Sequence, residues 1–337
     1  MTTLEDVARH AEVSRATVSR VINNHTYVRS EVRERVMASI RAIGYVPNVA
    51  ARSMVTKRTH VIGLLVPEFY DNNVDDTISF YPMLLHGISR ACTHYSYSLL
   101  LSILSPEQRQ QMALEGLQSG FVDGFIGTGL AHDGPTVRNM LENHKPGVLI
   151  GRNPYYPEIH SVDVDHFQAA VDAVTYLISR GRRRIAFLTP QFTEVHYARM
   201  RDGYTRALIQ HGIALNPAYL AETITKLHAS TAQVIMQLLA LPEPPDAIFT
   251  TCDDLGYYAV QSLQERGVRV PEDVALASVD DLPIARRCQP QLTTIRQPVE
   301  QLAERAVALL LDAINGDIHG GGQHLLLPTT LILRGSA

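Results

Sequence analysis

Cysteine is scarce: the chain has three, Cys92, Cys252 and Cys288, and their spacing fits no metal-ligand pattern. An odd, sparse set excludes a disulfide scaffold and points to buried free thiols in a reducing compartment. Long apolar runs are missing too, since none reaches the ~18–20 residues that cross a bilayer. The first residues are polar and lack a secretory signal, so a cytoplasmic protein with no membrane partner is expected. The usual catalytic signatures are absent as well. There is no Gly-x-x-x-x-Gly-Lys-Ser/Thr phosphate loop, no Gly-x-Ser-x-Gly elbow and no His-Glu-x-x-His zinc pair. The paired carboxylates Asp253-Asp254 and Asp280-Asp281 leave an acid/base reading open, but neighbours in sequence point different ways and one of each pair commonly caps a helix. The fourteen histidines are scattered; His166 and His196 suit a position facing a cleft and a surface position equally. No cofactor and no enzymatic activity are expected.

The formal net charge is only −4, and it is unevenly distributed: residues 1–60 hold ten Lys/Arg against five Asp/Glu, the remainder twenty against twenty-nine. A basic head on an acidic body suits a nucleic-acid module. Thr2 and Glu5 have capping-box spacing for a first helix whose small apolar face is Val7, Ala8 and Ala11. Ser14 is placed to cap a second helix, in which Val18, Val21 and Ile22 fall at i, i+3, i+4 and point inward. Arg15, Ala16, Ser19, Arg20 and Asn23 are left on the opposite face. Ser30 is expected to cap a third helix with Val32, Val36, Ile40 and Ile43 inside; Gly44 ends it and Pro47 prevents its resumption. A three-helix bundle used for protein contacts has the same periodicity, and the charge asymmetry favours DNA. A recognition helix docks its first residues on base edges in the major groove, where Arg reads guanine bidentately. Residues 48–54 make a further short helix, well under the ~12–15 residues that hold a helix alone. Paired copies in a minor groove would support it, with Met54 as an apolar wedge; the alternative for Met54 is a gap-filling core residue.

These segments resemble the DNA-binding head and hinge helix of the lactose-repressor (LacI/GalR) family of bacterial regulators. The likeness is carried by Leu4–Ala8 (Leu-Glu-Asp-Val-Ala), by Val13–Asn23 (Val-Ser-Arg-Ala-Thr-Val-Ser-Arg-Val-Ile-Asn) and by Gly44–Met54. The resemblance implies DNA contacts from Thr3, Ser14, Arg15, Ala16, Thr17, Ser19, Arg20 and Asn23, with Asn48, Ala51, Arg52 and Met54 in the hinge. Arg15 and Ala16 match the operator-discriminating pair, and Arg20 the common base-contacting arginine. Met54 stands where the family usually has leucine, which puts the strength of the DNA bend in question.

The body alternates short apolar runs with helical stretches: Val61–Val66, Leu99–Leu101, Gly124–Gly127, Gly147–Ile150, Arg184–Leu188, Ala247–Thr250 and Val274–Ser278. That alternation predicts parallel sheets covered by helices. About 275 residues exceed one comfortable core, so two lobes are expected. The organisation read from the sequence is a helix-turn-helix head over 1–46, a hinge helix and linker over 47–60, and a two-lobed effector-binding and dimerisation core over 61–337. Lobe one is placed at about 61–163 and 293–320, lobe two at about 164–292 and 321–337. Val122–Ile126, Ser161–Asp165, Ser179–Leu188, Ser278–Pro283 and Leu292–Pro298 extend the resemblance to the family's core, which is periplasmic-binding-protein-like.

Ligands of open parallel sheets sit at strand C-termini, here the loops 67–81, 128–133, 190–201, 251–254 and 280–283. They are rich in carboxylates, arginines and aromatics, groups suited to polyhydroxylated or heterocyclic ligands. Phe69 and Tyr81 bracket the longest of them, an acidic segment read as either a lid or a solvated loop. By resemblance Asp280 is the effector-binding aspartate, with a turn or cap as its alternative role, and Asp253 matches a second family aspartate. The family's effector arginine slot holds Met200, which leaves Arg199 or Arg201 as substitutes. The implied function is an allosteric repressor, a homodimer on a near-palindromic operator, released or recruited by a small polar effector. A sugar or sugar derivative is expected, with a purine or nucleoside as the alternative. No heptad repeat follows Arg334, so a dimer is expected rather than a tetramer.

Overall fold

The computed structural model describes residues 2–22, 27–45, 58–67, 80–104, 120–129, 137, 138, 142, 145–191, 195–225, 228–318 and 320–337. Asn23, Asn48, Ala51, Arg52, Met54 and Phe69, and with them the expected hinge helix, lie outside the described residues. The chain divides into two compact units, Met1–Thr59 and His60–Ala337.

The first unit holds α1 (Leu4–His10), α2 (Arg15–Ile22) and α3 (Ser30–Ala42). Val7, Ala8, Ala11, Val18, Val21 and Val36 form its core, flanked by Val32, Ile40 and Ile43, as the 3.6-residue periodicity requires. Two caps differ from expectation. The box at α1 is built by Thr3 and Asp6, not Thr2 and Glu5: Asp6 N donates to Thr3 Oγ1 (3.3 Å) and Thr3 N to Asp6 Oδ2 (2.9 Å). Thr2 instead donates its hydroxyl to Ile43 O. Ser30 is the first helical residue of α3, and Arg29 takes the cap position without a side-chain bond. Gly44 ends α3 with φ +64°, a conformation open to glycine at no steric cost.

The second unit contains two six-stranded sheets. In chain order its elements are β1 (Val61–Pro67), α4 (Phe80–His94), β2 (Ser98–Leu104), β3 (Gly124–Thr128), β4 (Gly147–Ile150), β5 (His160–Val164), α5 (His166–Ser179), β6 (Ile185–Pro190), α6 (Val195–Gln210) and β7 (Leu220–Thr223). They continue with α7 (His228–Leu239), β8 (Ala247–Thr250), α8 (Asp253–Gln264), β9 (Ala275–Asp280), α9 (Pro283–Arg287), β10 (Thr293–Arg296), α10 (Val299–Asn315), β11 (His324–Leu327) and β12 (Thr330–Ile332). The strand orders are β11-β5-β4-β3-β1-β2 and β12-β10-β9-β8-β6-β7. Every pairing is parallel except that of β10 with β12.

In the second sheet Ile185, Phe187, Ala247, Phe249, Ala275 and Ala277 pack under α5 and α6, while Ala186, Leu188, Ile248 and Leu276 pack on the other face under α7, α8 and α9. Burial on both faces explains why these strands read as unbroken apolar runs rather than alternating ones. In the first sheet, Ile62, Leu64, Ile126, Val148 and Val162 pack with Leu84 and Ile88 of α4 and Leu302 and Leu310 of α10.

The chain passes between sheets three times: after β5, after β10 and after β11. The division at 163–165 agrees with the first passage. The other two expected boundaries move. Thr293–Arg296 belongs to the second sheet because β10 pairs with β9, and His324–Leu327 belongs to the first because β11 pairs with β5. The passages therefore fall at residues 297–298 and 328–329, positions set by which strand each segment pairs with. All three leave from the C-terminal ends of parallel strands, so those edges of both sheets lie beside the crossovers.

Candidate functional site

In the head, Ser14 caps α2: its Oγ accepts from Thr17 N at 3.1 Å and lies 2.9 Å from Thr17 Oγ1. Burial of Val18 and Val21 then fixes the rotation of the helix. Arg15, Ala16 and Arg20 are exposed and Ser19 and Thr17 half-buried, so 15, 16, 19 and 20 form one continuous face. The Arg20 guanidinium lies 5.9 Å from the Tyr27 ring centroid, a cation–π approach that limits its wandering. A residue unnoticed in the sequence, His10, ties α1 to α3. The Ser39 hydroxyl donates to Arg35 O at 2.9 Å, so His10 Nδ1, 3.0 Å from Ser39 Oγ, is the donor to it. The result is a small rigid body with two arginines on its exposed helix face, suited to base edges in a groove.

In the core, Asp280 ends β9 and is half-buried. Its Oδ1 accepts from Gln297 Nε2 at 2.6 Å, and Gln297 is the first residue of the second crossover. Asp280 and Asp281 both have positive φ, 123° and 61°. Such backbone costs a non-glycine residue roughly 1–3 kcal/mol and persists only where the surroundings over-determine it. Two groups do so here. The Asp281 carboxylate, 1% exposed, is bound by Arg296 Nε at 2.7 Å, Arg286 Nη2 at 3.4 Å and Arg334 Nη2. Burial raises its pKa, but the hydrogen bonds from Arg334 and Arg296 outweigh that and hold it below the usual carboxylate range. The second group is Asp253, whose Oδ2 accepts from Leu282 N and Oδ1 from Thr294 Oγ1, each at 2.7 Å.

Asp253 thus leaves the expected effector set. It is fully buried and both its oxygens are engaged, so it shapes the Asp280 turn instead of meeting a ligand. Burial pushes its pKa up to about 7 against the lowering bonds from Thr294, Leu282 and Ser278.

Met200, in the slot of the expected arginine, is buried in the second-sheet core. Arg199 and Arg201 flank it and both are exposed on α6. Arg199 places its guanidinium 5.3 Å from the Phe167 ring, at the start of α5. That brings Arg199 to the first crossover. There His166 Nε2 lies 3.2 Å from Asp163 Oδ1, and its ring lies 5.3 Å from that of His196. Burial raises the Asp163 pKa, but the His166 hydrogen bond and the amides of Arg152 and Val164 bring it below the ordinary value. Tyr81 is half-buried in the first turn of α4 and meets Phe80 edge-on at 5.9 Å.

The structure therefore gathers Asp280, Gln297 and the Asp281 cluster at one crossover, and His166, His196 and Arg199 at another. Gln297 and Arg296 stand in the Leu292–Pro298 stretch that carries the family resemblance, but no role was read for them there. Arg334 carried no local signal.

Comparison with known proteins finds relatives for both the head and the core. Residues 3–48 match the family "Bacterial regulatory proteins, lacI family", and residues 174–337 match the "Periplasmic binding protein-like domain". The chain is 32% identical to catabolite control protein A of Priestia megaterium over 93% of its own length and 92% of the relative's. It is also 32% identical to the ribose operon repressor of Escherichia coli strain K12, with 100% of both chains covered. Among solved structures, the lac repressor dimer bound to operator and the anti-inducer ONPF superposes with a TM-score of 0.84 at 25% identity, covering 99% of this chain and 98% of that one. A head with an arginine-bearing second helix, followed by a two-sheet core, identifies this chain as a member of the lacI family of bacterial regulatory proteins and a DNA-binding regulator of transcription.

Proposed function

We propose that the protein is a cytoplasmic, dimeric repressor whose operator affinity is set by a small polar effector, a sugar or sugar derivative, held where the C-terminal strand edges meet the crossovers. One observation carries this reading: a half-buried carboxylate, Asp280, stands at such an edge and is bonded directly to crossover residue Gln297. An acceptor there suits ligand hydroxyls, and a ligand that engages it acts on the segment joining the lobes. Arg199 beside Phe167 offers a donor and an aromatic face at the neighbouring crossover. Arg15, Ala16, Ser19 and Arg20 read the major groove of a near-palindromic site. The ribose operon repressor among the relatives, and the ligand-bound lac repressor dimer on its operator, support the same arrangement.

The protein acts by binding and catalyses no reaction. One carboxylate of each adjacent pair is consumed structurally, Asp253 by Thr294 and Leu282, Asp281 by three arginines. Among the described residues no helix is long and apolar enough to cross a membrane.

Selecting bound sequences from a random duplex library, then titrating the selected site against pentoses, hexoses, disaccharides and nucleosides, tests the reading. A palindrome released or tightened by a sugar is expected. Linkage is reciprocal, so operator binding changes effector affinity by the same factor, ~5–150-fold in typical cases. Sequence-blind binding, or response to nucleosides alone, would replace the reading.

A further inference from the structure

The Asp280 turn is fastened more firmly than a plain strand end requires. Two consecutive non-glycine residues sit at positive φ, and the second sends its carboxylate back beneath β10. There it collects three guanidinium groups from three elements: Arg286 from α9, Arg296 from the last position of β10, and Arg334 from the segment after β12. Arg296 is followed at once by the crossover, whose first amide, Gln297 N, donates to Asp280 O at 3.4 Å. Asp253 closes the turn from the other side by holding Leu282 N and Thr294 Oγ1, the latter again on β10. The fastenings through Arg296, Arg334 and Asp253 therefore all reach β10, since Arg334 N is itself bonded to Thr293 Oγ1.

We propose that Asp281 is the positioning residue of the effector loop: its carboxylate, through Arg296 and Arg334, locks the Asp280 turn to the strand that carries the chain into the other lobe. The lock makes the turn and the crossover one mechanical piece, so a displacement imposed on Asp280 is delivered to residues 297–298 instead of being absorbed locally. It supplies a demonstrable physical link of the kind that coupling between sites requires. The functional meaning of the lock rests on Asp280 contacting the effector; the lock itself does not.

Amide hydrogen exchange on the full-length protein, without effector, tests it. Peptides spanning 279–283 and 296–300 report the turn and the crossover, and 247–251 on β8 is the internal reference. In Asp281→Asn, exchange in the first two is expected to rise together by about tenfold, with the reference unchanged. Arg296→Gln removes one half-exposed arm and keeps the carboxylate paired to the others, so it is the safer variant for folding; it is expected to speed the same two peptides by a smaller factor. The double variant should exchange no faster than Asp281→Asn, because the second change removes a bond already lost. If the turn loosens while 296–300 keeps its native rate, or if the two changes add, Asp281 is a local fastener and the proposal fails. An Asp280→Ala protein that still responds fully to effector would remove the effector assignment while leaving the lock intact.

Discussion

Replacing Asp253 by alanine should destabilise the core more than its modest side-chain volume suggests. The carboxylate is fully buried and accepts from Leu282 N and Thr294 Oγ1, each at 2.7 Å. Alanine orphans both donors, at about 1–3 kcal/mol each, so a loss of roughly 2–6 kcal/mol is expected. Asparagine should be far milder. Its Oδ1 accepts from Leu282 N and its Nδ2 donates to Thr294 Oγ1 once that hydroxyl rotates. The two variants also separate charge from geometry through pH. The Asp253 pKa is raised from 3.8 to about 7 in the folded state. Between those values the folded protein holds a proton that the unfolded chain does not. The associated stability is therefore fully present below about pH 4 and declines as pH rises towards 7, at up to roughly 1.4 kcal/mol per pH unit. Asp253→Asn carries no ionisable group there and should lose that component of the slope. The chain has no tryptophan, so urea unfolding followed by far-UV circular dichroism at several pH values is the suitable assay. A cost below about 1 kcal/mol for alanine, or an asparagine variant with an unchanged pH slope, would refute the account of a desolvated, doubly bonded carboxylate.

The remaining predictions concern the head, the effector loop and one close helix contact. Arg20→Ala should cost about 1–3 kcal/mol in operator binding if the guanidinium reads a base bidentately; unchanged discrimination between selected and random duplexes in fluorescence anisotropy would reject that role. Thr3→Ala removes the side-chain half of the α1 capping box, the acceptor for Asp6 N, and should destabilise the isolated head by about 0.5–2 kcal/mol, read as a lower thermal midpoint of the 1–46 fragment. Asp280→Ala should abolish effector response while operator affinity without effector stays native, as measured by titrating the selected duplex with and without sugar. Gly203→Ala should destabilise the second lobe, because a Cβ there would lie 2.2 Å from Phe167 O and 2.9 Å from Ala170 Cβ. The two helices have to part, at about 1–3 kcal/mol or more, and a native unfolding midpoint would contradict the packing.

Much was legible in the chain itself. The head followed from Val7, Ala11, Val18, Val21 and Val36 at helical spacing, which left Arg15, Ala16, Ser19 and Arg20 on the other face whatever the tertiary detail. The parallel sheets followed from runs such as Ile185–Leu188, apolar at every position because both sheet faces are covered. Cap positions slipped by one residue because Thr2 and Thr3, and Glu5 and Asp6, are chemically alike, and only backbone geometry chooses between them. Lobe membership of residues 293–296 and 324–327 was hidden, since a strand's partner is fixed by which edge of a sheet is open to it and not by its own composition.

The two adjacent aspartate pairs show the boundary most clearly. Sequence determined that carboxylates would stand at the ends of β8 and β9, and the family resemblance singled out Asp280 and Asp253 together. Only the fold separates them. Asp253 points inward to donors brought by β10 and the 281–282 turn, Asp281 is enclosed by guanidinium groups from residues 286, 296 and 334, and Asp280 stays half-buried at the crossover, bonded to Gln297. Identical side chains take different roles because burial and the arrival of distant partners, not residue type, decide which carboxylate remains able to meet a ligand.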